Sequence, residues 1–483
     1  MPIPDKVLGH LRQNEQAHLA ELQELVRIPS VSADPKNAAD VQRAAEWIMA
    51  RLRKAGMENV RLVPTSGLPS IVADWLHAGP SAPTLLVYGH YDVQPAAKSD
   101  GWKYEPFEAR VAEGRVWGRG TTDDKGQLIC HIFAAEAWLK ANRSLPVNLK
   151  FVFEGEEEMG SLHFSEVIDK AQKDLQADLL IVSDSPMHGE GQPALTHTLR
   201  GLDYFQIDVE GPSKDLHSGT FGGILWNPNE ALVHMLAACK DPKTGRILIP
   251  GFYDDVVPAS KEERARLAKV AETESGLKRQ TGVSALWGEK GWTPYERIGV
   301  RPTFEINGIY GGYTGEGAKT VIPAHAHAKV SCRLVANQDP HKVAKLVEKH
   351  VKSLAKPGTK VKVTVLSTGA GVRADPGHPL VKAVEKALQD TWGKRPVLIP
   401  EGGSIPAVAD MQKRLGVEPI LCGFGHRDEN MHAPEESFRL SSFFKGREAC
   451  ARILAELADA GKANGHAAPR AKAKPAVLKA KAR

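Results

Sequence analysis

LLVYGHYDVQP, residues 85–95, joins an apolar run directly to a histidine and an aspartate, His90 and Asp92. Three more apolar runs lead to possible metal ligands in the same way: LKFVF (149–153) to Glu157 and Glu158, LLIV (179–182) to Asp184, and PILCGF (419–424) to His432. Short apolar runs bounded by glycine and polar residues are typical of buried strands. Because open α/β sheets bind ligands at the carboxyl ends of their strands, we expect these side chains to meet at one sheet edge.

The pattern of polar and apolar residues changes twice along the chain. Strand-like and helix-like segments alternate up to about residue 195, which predicts an α/β fold with a mostly parallel sheet and helices on both faces. From Leu199, polar and apolar residues alternate as in an antiparallel sheet with one exposed face. After Val372, strand-like and helix-like segments alternate again. We therefore predict an α/β domain formed by residues 1–198 and 373–461, interrupted by an inserted α+β domain at 199–372.

The composition is that of a soluble globular protein of two or three domains. The chain has 483 residues, of which 42% are hydrophobic and 25% charged. The N-terminal region is too charged for a signal peptide, and no run of 18 apolar residues occurs, so we expect a cytoplasmic protein without a membrane partner. Five widely spaced cysteines without a CxxC pair indicate free, buried thiols rather than a disulfide framework.

The last 22 residues, 462–483, are rich in alanine and lysine and contain seven basic residues but no acidic one. Such a composition favours disorder, because it offers little apolar surface to bury. Without this tail the formal charge of +5 becomes −2. We interpret the tail as a solvated appendage; weak attraction to nucleic-acid or membrane phosphates is the less favoured alternative.

Two further motifs contain several acidic residues close together in the sequence. In VWGRGTTDDKG (116–126), Asp123 is a candidate metal ligand, with an exposed turn as the alternative. In EGEEEMGS (154–161), one glutamate is suited to bind a metal while its free neighbour acts as a general base, and a solvated helix start is the alternative. Asp92 is placed to orient His90. Together with His432 and Asp184, these residues match the ligands of a two-metal hydrolase.

Five motifs, in the order HYDVQP, GRGTTDDKG, EGEEEMGS, SDSPM and NMHAPEE, resemble those of the M20 family of dinuclear metallopeptidases. IPGFYDDVVP, KDLHSG and AKTVIP in the inserted domain resemble the dipeptidase branch, which includes cytosolic nonspecific and carnosine dipeptidases. The resemblance covers nearly the whole chain except the tail. It implies a metallodipeptidase with two divalent ions per subunit, by default Zn²⁺, although Mn²⁺ or Co²⁺ suits the oxygen-rich ligand set.

The resemblance also implies a role for each motif residue. Asp123 would bridge the two ions, His90 and Asp184 would bind one ion, and Glu158 and His432 would bind the other. Glu157 would be the general base, and Asp92 would support His90. These roles are expectations carried over from the family pattern.

The inserted domain resembles the lid and dimerisation domain of the family, which implies a homodimer. His217 in KDLHSG and Thr320 in AKTVIP fall on positions that reach the active site of the partner subunit. Arg333, Gly403 and Ser404 fall where relatives hold the terminal carboxylate of a small peptide substrate, a group that a guanidinium fork suits.

Two other functions remain open at this point. An amidohydrolase of the same family that acts on N-acyl or N-succinyl amino acids would share the metal ligands. A non-catalytic binding protein would have no need for Glu157 as a base, which argues against it. The resemblance does not favour carnosine as the main substrate, because LSTGAGV (366–372) lacks a histidine that carnosine-cleaving relatives carry.

Overall fold

The computed structural model describes residues 3–463 of the chain. The chain divides into two compact units. The first contains the described parts of residues 1–195, 375–397 and 411–483, and the second contains residues 196–374 and 398–410. The predicted basic tail lies outside the described residues from position 464 onward. None of the helices that the structure describes is long and apolar enough to cross a membrane.

The first part of the chain, up to residue 182, contains five helices and seven strands. The helices are α1 (Asp5–Gln13), α2 (Glu15–Val26), α3 (Ala38–Ala55), α4 (Lys125–Asn142) and α5 (Phe164–Leu175). The strands are β1 (Glu58–Val63), β2 (Ser70–Trp75), β3 (Thr84–His90), β4 (Arg110–Ala112), β5 (Arg115–Trp117), β6 (Asn148–Glu154) and β7 (Leu179–Val182).

The central part of the chain continues with eight strands and six helices. The strands are β8 (Ala194–Leu199), β9 (Gly201–Glu210), β10 (Leu216–His217), β11 (Thr303–Gly311), β12 (Val321–Ile322), β13 (His325–Leu334), β14 (Lys360–Gly369) and β15 (Val372–Arg373). The helices are α6 (Ser218–Phe221), α7 (Pro228–Ala238), α8 (Lys261–Val270), α9 (Glu274–Thr281), α10 (Pro294–Gly299) and α11 (Pro340–Ser353).

The last part of the described chain contains three helices and three strands. They are α12 (Pro379–Trp392), β16 (Val397–Glu401), α13 (Pro406–Leu415), β17 (Glu418–Leu421), β18 (Ser437–Arg439) and α14 (Leu440–Ala463).

Four neighbouring strands of the first unit, β6, β3, β7 and β17, are parallel to one another. Strand β2 pairs antiparallel with β6, and β1 pairs antiparallel with β2, so the order in this unit is β1-β2-β6-β3-β7-β17. Every residue of β6 and β7 is buried, as in parallel strands covered on both faces. The prediction of a mostly parallel, helix-covered sheet is confirmed, with an antiparallel edge formed by β1 and β2.

Helix α4 is the central helix of the first unit. Every residue from Lys125 to Trp138 is buried, and the helix packs against α1, α14, α3 and β3. A helix that is buried on all sides shows no amphipathic stripe. Its first residue, Lys125, donates to the carbonyls of Leu25 and Ile28 at 3.2 and 2.6 Å. These contacts fix the start of the helix, and Asp123 lies two residues before it.

The second unit contains a four-stranded antiparallel sheet in the order β11-β13-β9-β14. Burial alternates along β9, and helices α7 and α11 pack against this sheet. The buried face joins these helices in an apolar core that includes Phe205, Val330 and Val347. The predicted inserted domain with a half-exposed antiparallel sheet is therefore confirmed as a fold, and period-two alternation is its physical basis.

A small antiparallel sheet of β18, β5 and β4 was not predicted. Each strand has only three residues, which is too short to give a period-two pattern. Ser437 pairs with Trp117 in this sheet, so the segment that follows His432 lies beside the segment that precedes Asp123. All five cysteines are free and buried, as expected.

Candidate metal centre and active site

The parallel strands end where the candidate metal ligands begin. His90 is the last residue of β3, and Asp184 follows β7 by two residues. Glu157 and Glu158 lie in a short 3-10 turn after β6, and Asp123 lies in the loop just before α4. This arrangement follows from the parallel pairing, which brings the carboxyl ends of β3, β6 and β7 to one edge of the sheet.

Asp123 lies between two imidazoles. Its Oδ1 is 3.0 Å from Nε2 of His90, and its Oδ2 is 2.8 Å from Nε2 of His432. Nε2 of His90 is also 3.9 Å from Oδ2 of Asp184, and Nε2 of His432 is 3.1 Å from Oε2 of Glu158. The structure therefore brings together all five residues that the sequence singled out as metal ligands.

The donor set fits divalent metal ions. His90, Asp123 and Glu158 offer ligand atoms that all lie within 4.8 Å of one another. Oε1 of Glu158 is buried and has no hydrogen-bond partner among the described residues. A buried carboxylate oxygen left without a donor is costly unless a cation binds it. Imidazole nitrogen and carboxylate oxygen are ligands of Zn²⁺, and the three carboxylates also suit Mn²⁺.

Burial and crowded negative charge raise the pKa values of carboxyl groups in the site. Burial, followed by the charge of Asp123, raises the pKa of Asp184 to about 7. Burial also raises the pKa of Glu157 well above its usual range; His90 opposes this rise, and Asp184 and Glu158 add to it. Like charges at short range disfavour the ionised forms, and bound cations would relieve this repulsion.

Asp92 connects His90 to the glutamate turn. The carboxylate of Asp92 is fully buried and accepts the backbone N–H groups of Glu157 and Glu158 at 3.3 and 3.1 Å. Nδ1 of His90 lies 3.1 Å from the Asp92 carbonyl oxygen and 3.4 Å from Oδ1. Both atoms are acceptors, so Nδ1 would hold the proton when Nε2 binds a metal ion.

Two residues near the centre were missed in the sequence, although both lie inside the family motifs. Gln94 in HYDVQP donates to Oε2 of Glu158 at 2.8 Å. Glu436 in NMHAPEE is buried and accepts the backbone N–H of Asp123 at 3.2 Å. Their position in the motifs was a signal, but their partners are 64 and 313 residues away in the chain.

In the second unit, His217 and Thr320 are neighbours. His217 ends β10, which pairs with β12 through His217 and Val321. The backbone N–H of Ser218 donates to the carbonyl of Thr320 at 3.1 Å. Both His217 and Thr320 are exposed on this unit. Their predicted contact with a partner subunit stays a prediction.

Arg333, Gly403 and Ser404 also form one cluster in the second unit. Nη1 of Arg333 donates to Oγ of Ser404 at 2.8 Å, and this Oγ donates to the carbonyl of Arg200 at 2.5 Å. The backbone N–H of Arg200 donates to the carbonyl of Gly403 at 3.1 Å. Burial, followed by the charge of Arg333, lowers the pKa of Arg200 to about 10. Two guanidinium groups near one turn would favour an anionic ligand.

An α/β sheet that gathers imidazole and carboxylate groups at its strand ends is typical of a metal-dependent hydrolase. Comparison with known families makes the assignment specific. The chain belongs to Peptidase family M20/M25/M40, whose model matches residues 86–456. This finding confirms the resemblance seen in the motifs.

Similar proteins cover almost the full length of the chain. A Cys-Gly metallodipeptidase DUG1 of Candida albicans is 36% identical over 447 residues, which is 89% of this chain and 92% of the relative. The Cys-Gly metallodipeptidase DUG1 of Saccharomyces cerevisiae is 35% identical, covering 90% and 94%. The human Beta-Ala-His dipeptidase is 31% identical, covering 90% and 85%.

Solved structures agree with these comparisons. The dipeptidase Dug1p of Saccharomyces cerevisiae matches with a TM-score of 0.80 and 34% identity, over 94% of this chain and 98% of that one. Sso-CP2 of Sulfolobus solfataricus, an M20 family metallo-carboxypeptidase, matches with a TM-score of 0.83 and 31% identity, over 92% and 99%. Both comparisons support an M20 peptidase fold over the described residues.

Proposed function

We propose that the protein is a metallodipeptidase that hydrolyses the amide bond of dipeptides with two divalent ions per subunit. The observation that carries this proposal is the position of Asp123 between His90 and His432, beside a Glu158 oxygen that lacks a protein partner among the described residues. Asp123 would bridge the two ions. His90 and Asp184 would complete one ion site, and Glu158 and His432 the other.

Zn²⁺ is the ion we propose first, with Mn²⁺ or Co²⁺ as substitutes that the carboxylate-rich set would accept. Bound ions of this kind lower the pKa of water and polarise a carbonyl group. Glu157 would take a proton from the attacking water and deliver it to the amine that leaves when the C–N bond breaks. Burial raises the pKa of Glu157 well above its usual range, and this supports a role in taking up a proton.

The substrate-binding residues we propose lie in the second unit. Arg333, with Ser404 and the backbone at Gly403, would hold the terminal carboxylate of the dipeptide. The hydrogen bond between Arg333 and Ser404 supports this role, because it orients the guanidinium fork. We further propose a homodimer in which His217 and Thr320 reach the partner's active site.

The similar proteins suggest which substrates to test first. Relatives named Cys-Gly metallodipeptidases are 35–36% identical to this chain, so we propose short dipeptides with a C-terminal glycine as the first substrate class. Carnosine is the less favoured substrate, since LSTGAGV (366–372) contains no histidine.

A second candidate function is carboxypeptidase activity on longer or N-blocked peptides. The similarity to the metallo-carboxypeptidase Sso-CP2, with a TM-score of 0.83, favours this alternative. Both functions require a free carboxylate on the substrate. A dipeptidase requires a free amino group on its substrate, whereas the carboxypeptidase does not. The same requirement separates a dipeptidase from an N-acyl amino acid hydrolase.

A substrate panel with defined metal content tests the proposal. Chelator-treated protein is reloaded with Zn²⁺, Mn²⁺ or Co²⁺ and given dipeptides, N-acetylated dipeptides, N-acyl amino acids and tripeptides. We expect metal-dependent release of amino acids, with free dipeptides the preferred class. Preferred cleavage of N-acetylated dipeptides would support the carboxypeptidase, and activity unchanged after metal removal would contradict the proposed metal centre.

A further inference from the structure

Glu436 is a buried carboxylate whose partners all belong to the loop that carries Asp123. Its side chain is inaccessible to solvent. Oε2 accepts a hydrogen bond from Nη1 of Arg119 at 2.7 Å and one from the backbone N–H of Gly120 at 3.1 Å. Oε1 accepts the backbone N–H groups of Thr122 and Asp123 at 3.0 and 3.2 Å. One carboxylate thus holds four donors within five consecutive residues.

The backbone of Glu436 reinforces this connection. The N–H of Gly118 donates to the Glu436 carbonyl at 2.9 Å, which continues the pairing of Ser437 with Trp117. Glu436 follows His432 by four residues. The segment that carries one imidazole ligand is therefore tied to the loop that carries the carboxylate between both imidazoles.

Arg119 compensates the buried charge of Glu436. Its side chain is 3% exposed in the ion pair, and its guanidinium lies over the ring of Trp102 at 5.4 Å. A buried carboxylate needs both a counter-charge and hydrogen bonds to each oxygen, and Glu436 has both. The contacts reach only the backbone of Asp123, so both side-chain oxygens of Asp123 remain directed at His90 and His432.

We propose that Glu436 is a positioning residue of the metal centre. It holds the backbone of Asp123 so that the carboxylate can bridge two ions, and it keeps His432 in register with that carboxylate. This inference rests on the proposed role of Asp123 as a metal ligand. Residues that orient metal ligands commonly change metal affinity about 10- to 100-fold when replaced.

The test measures metal binding without any substrate. Chelator-treated full-length protein is titrated calorimetrically with Zn²⁺ alone, and with Mn²⁺ alone, for wild type, Glu436→Gln and Glu435→Gln. We expect about 10- to 100-fold weaker binding for Glu436→Gln, because its amide NH₂ would face an N–H donor of the loop. Glu435→Gln is the matched control: Glu435 is adjacent but accepts from the backbone of Lys103. We expect its affinity to equal that of wild type.

A purely structural role would give a different result. A folded Glu436→Gln protein with wild-type metal affinity, or an equal loss in Glu435→Gln, would overturn the inference. If Glu436→Gln does not fold, Glu436→Asp keeps the charge for Arg119 and is read in its place, with weakened metal binding expected and unchanged binding contradictory. Wild-type protein that binds no ion would instead overturn the proposed function itself.

Discussion

Asp92 holds Glu158 through the backbone: Oδ2 of Asp92 accepts the N–H of Glu158 at 3.1 Å. The same carboxylate accepts the N–H of Glu157 and lies 3.4 Å from Nδ1 of His90. A residue outside the ligand set thus connects one imidazole, one proposed ligand and the proposed base. The local fold explains this position, because β3 and β6 are adjacent and parallel and end together.

The substitution Asp92→Asn should weaken metal binding. The asparagine keeps the shape but can no longer accept all three donors, so His90 and the glutamate turn lose their common support. We expect about 10- to 100-fold lower metal affinity by calorimetry. Asp74→Asn is the control, since Asp74 lies in β2 and contacts Asn59 at the surface. Equal metal affinity in both variants would refute the supporting role of Asp92.

Arg333→Lys should impair substrates that have a free carboxylate. A lysine keeps the charge but loses the planar fork. We expect kcat/KM for a dipeptide to fall about 10- to 100-fold, in line with the loss of a charged hydrogen bond. The matched substrate is the same dipeptide with an amidated C-terminus, for which wild type and variant should perform alike. A similar fall for both substrates would argue against carboxylate recognition by Arg333.

Mixed dimers test the proposed role of His217. His217→Ala and Glu157→Gln subunits should each be nearly inactive alone, whereas a heterodimer would contain one complete site. An equal mixture at exchange equilibrium should recover about one quarter of wild-type activity, because half of the dimers are mixed and each has one working site. Differently tagged subunits report heterodimer formation. Mixed dimers without recovered activity would exclude catalysis across subunits.

Asp203 should make stability depend on pH. It lies on the buried face of β9, both carboxylate oxygens lack a hydrogen-bond partner among the described residues, and burial raises its pKa from 3.8 to about 8. Between these values the folded protein keeps a proton that the unfolded chain releases. Stability from this residue is therefore present at low pH and is lost as pH rises towards 8.

The substitution Asp203→Asn should remove the loss of stability that Asp203 causes as pH rises. The stability of the variant relative to wild type, measured by denaturant unfolding, should rise between pH 5 and pH 8 by up to about 1.4 kcal/mol per pH unit. Asp208→Asn is the control on the other face of β9, where the carboxylate accepts from His327 and Gln206. A pH-independent difference between Asp203→Asn and wild type would contradict the buried neutral carboxyl.

Much of the central fold could be predicted because its signals are local. The apolar runs within β3, β6 and β7 identify buried strands, and polar residues directly after them identify the strand ends. The order of the strands is not local information. Strand β2 pairs antiparallel with the distant strand β6, with Ile71 opposite Phe153 and Trp75 opposite Leu149, and nothing in either segment specifies that pairing.

Some residues of the candidate site could also be predicted from local sequence, and others could not. His90, Glu157, Glu158 and Asp184 could be found because each lies within a few residues of a strand. Glu436, the proposed positioning residue, was missed although it lies in NMHAPEE, because its contacts are with a loop 313 residues away. Asp203 gave no signal either: an acid in an alternating strand indicates an exposed position, whereas the structure buries it.

The most direct test of the proposed mechanism is dipeptide hydrolysis by Glu157→Gln with its metal content measured on the same sample. We predict two divalent ions per subunit in both wild type and variant, with kcat of the variant lower by about 10²- to 10⁴-fold. The ligands of the proposed ion sites remain in this variant, so only the proton transfer is lost. Turnover at the wild-type rate by metal-loaded Glu157→Gln would contradict the proposed base and with it the mechanism.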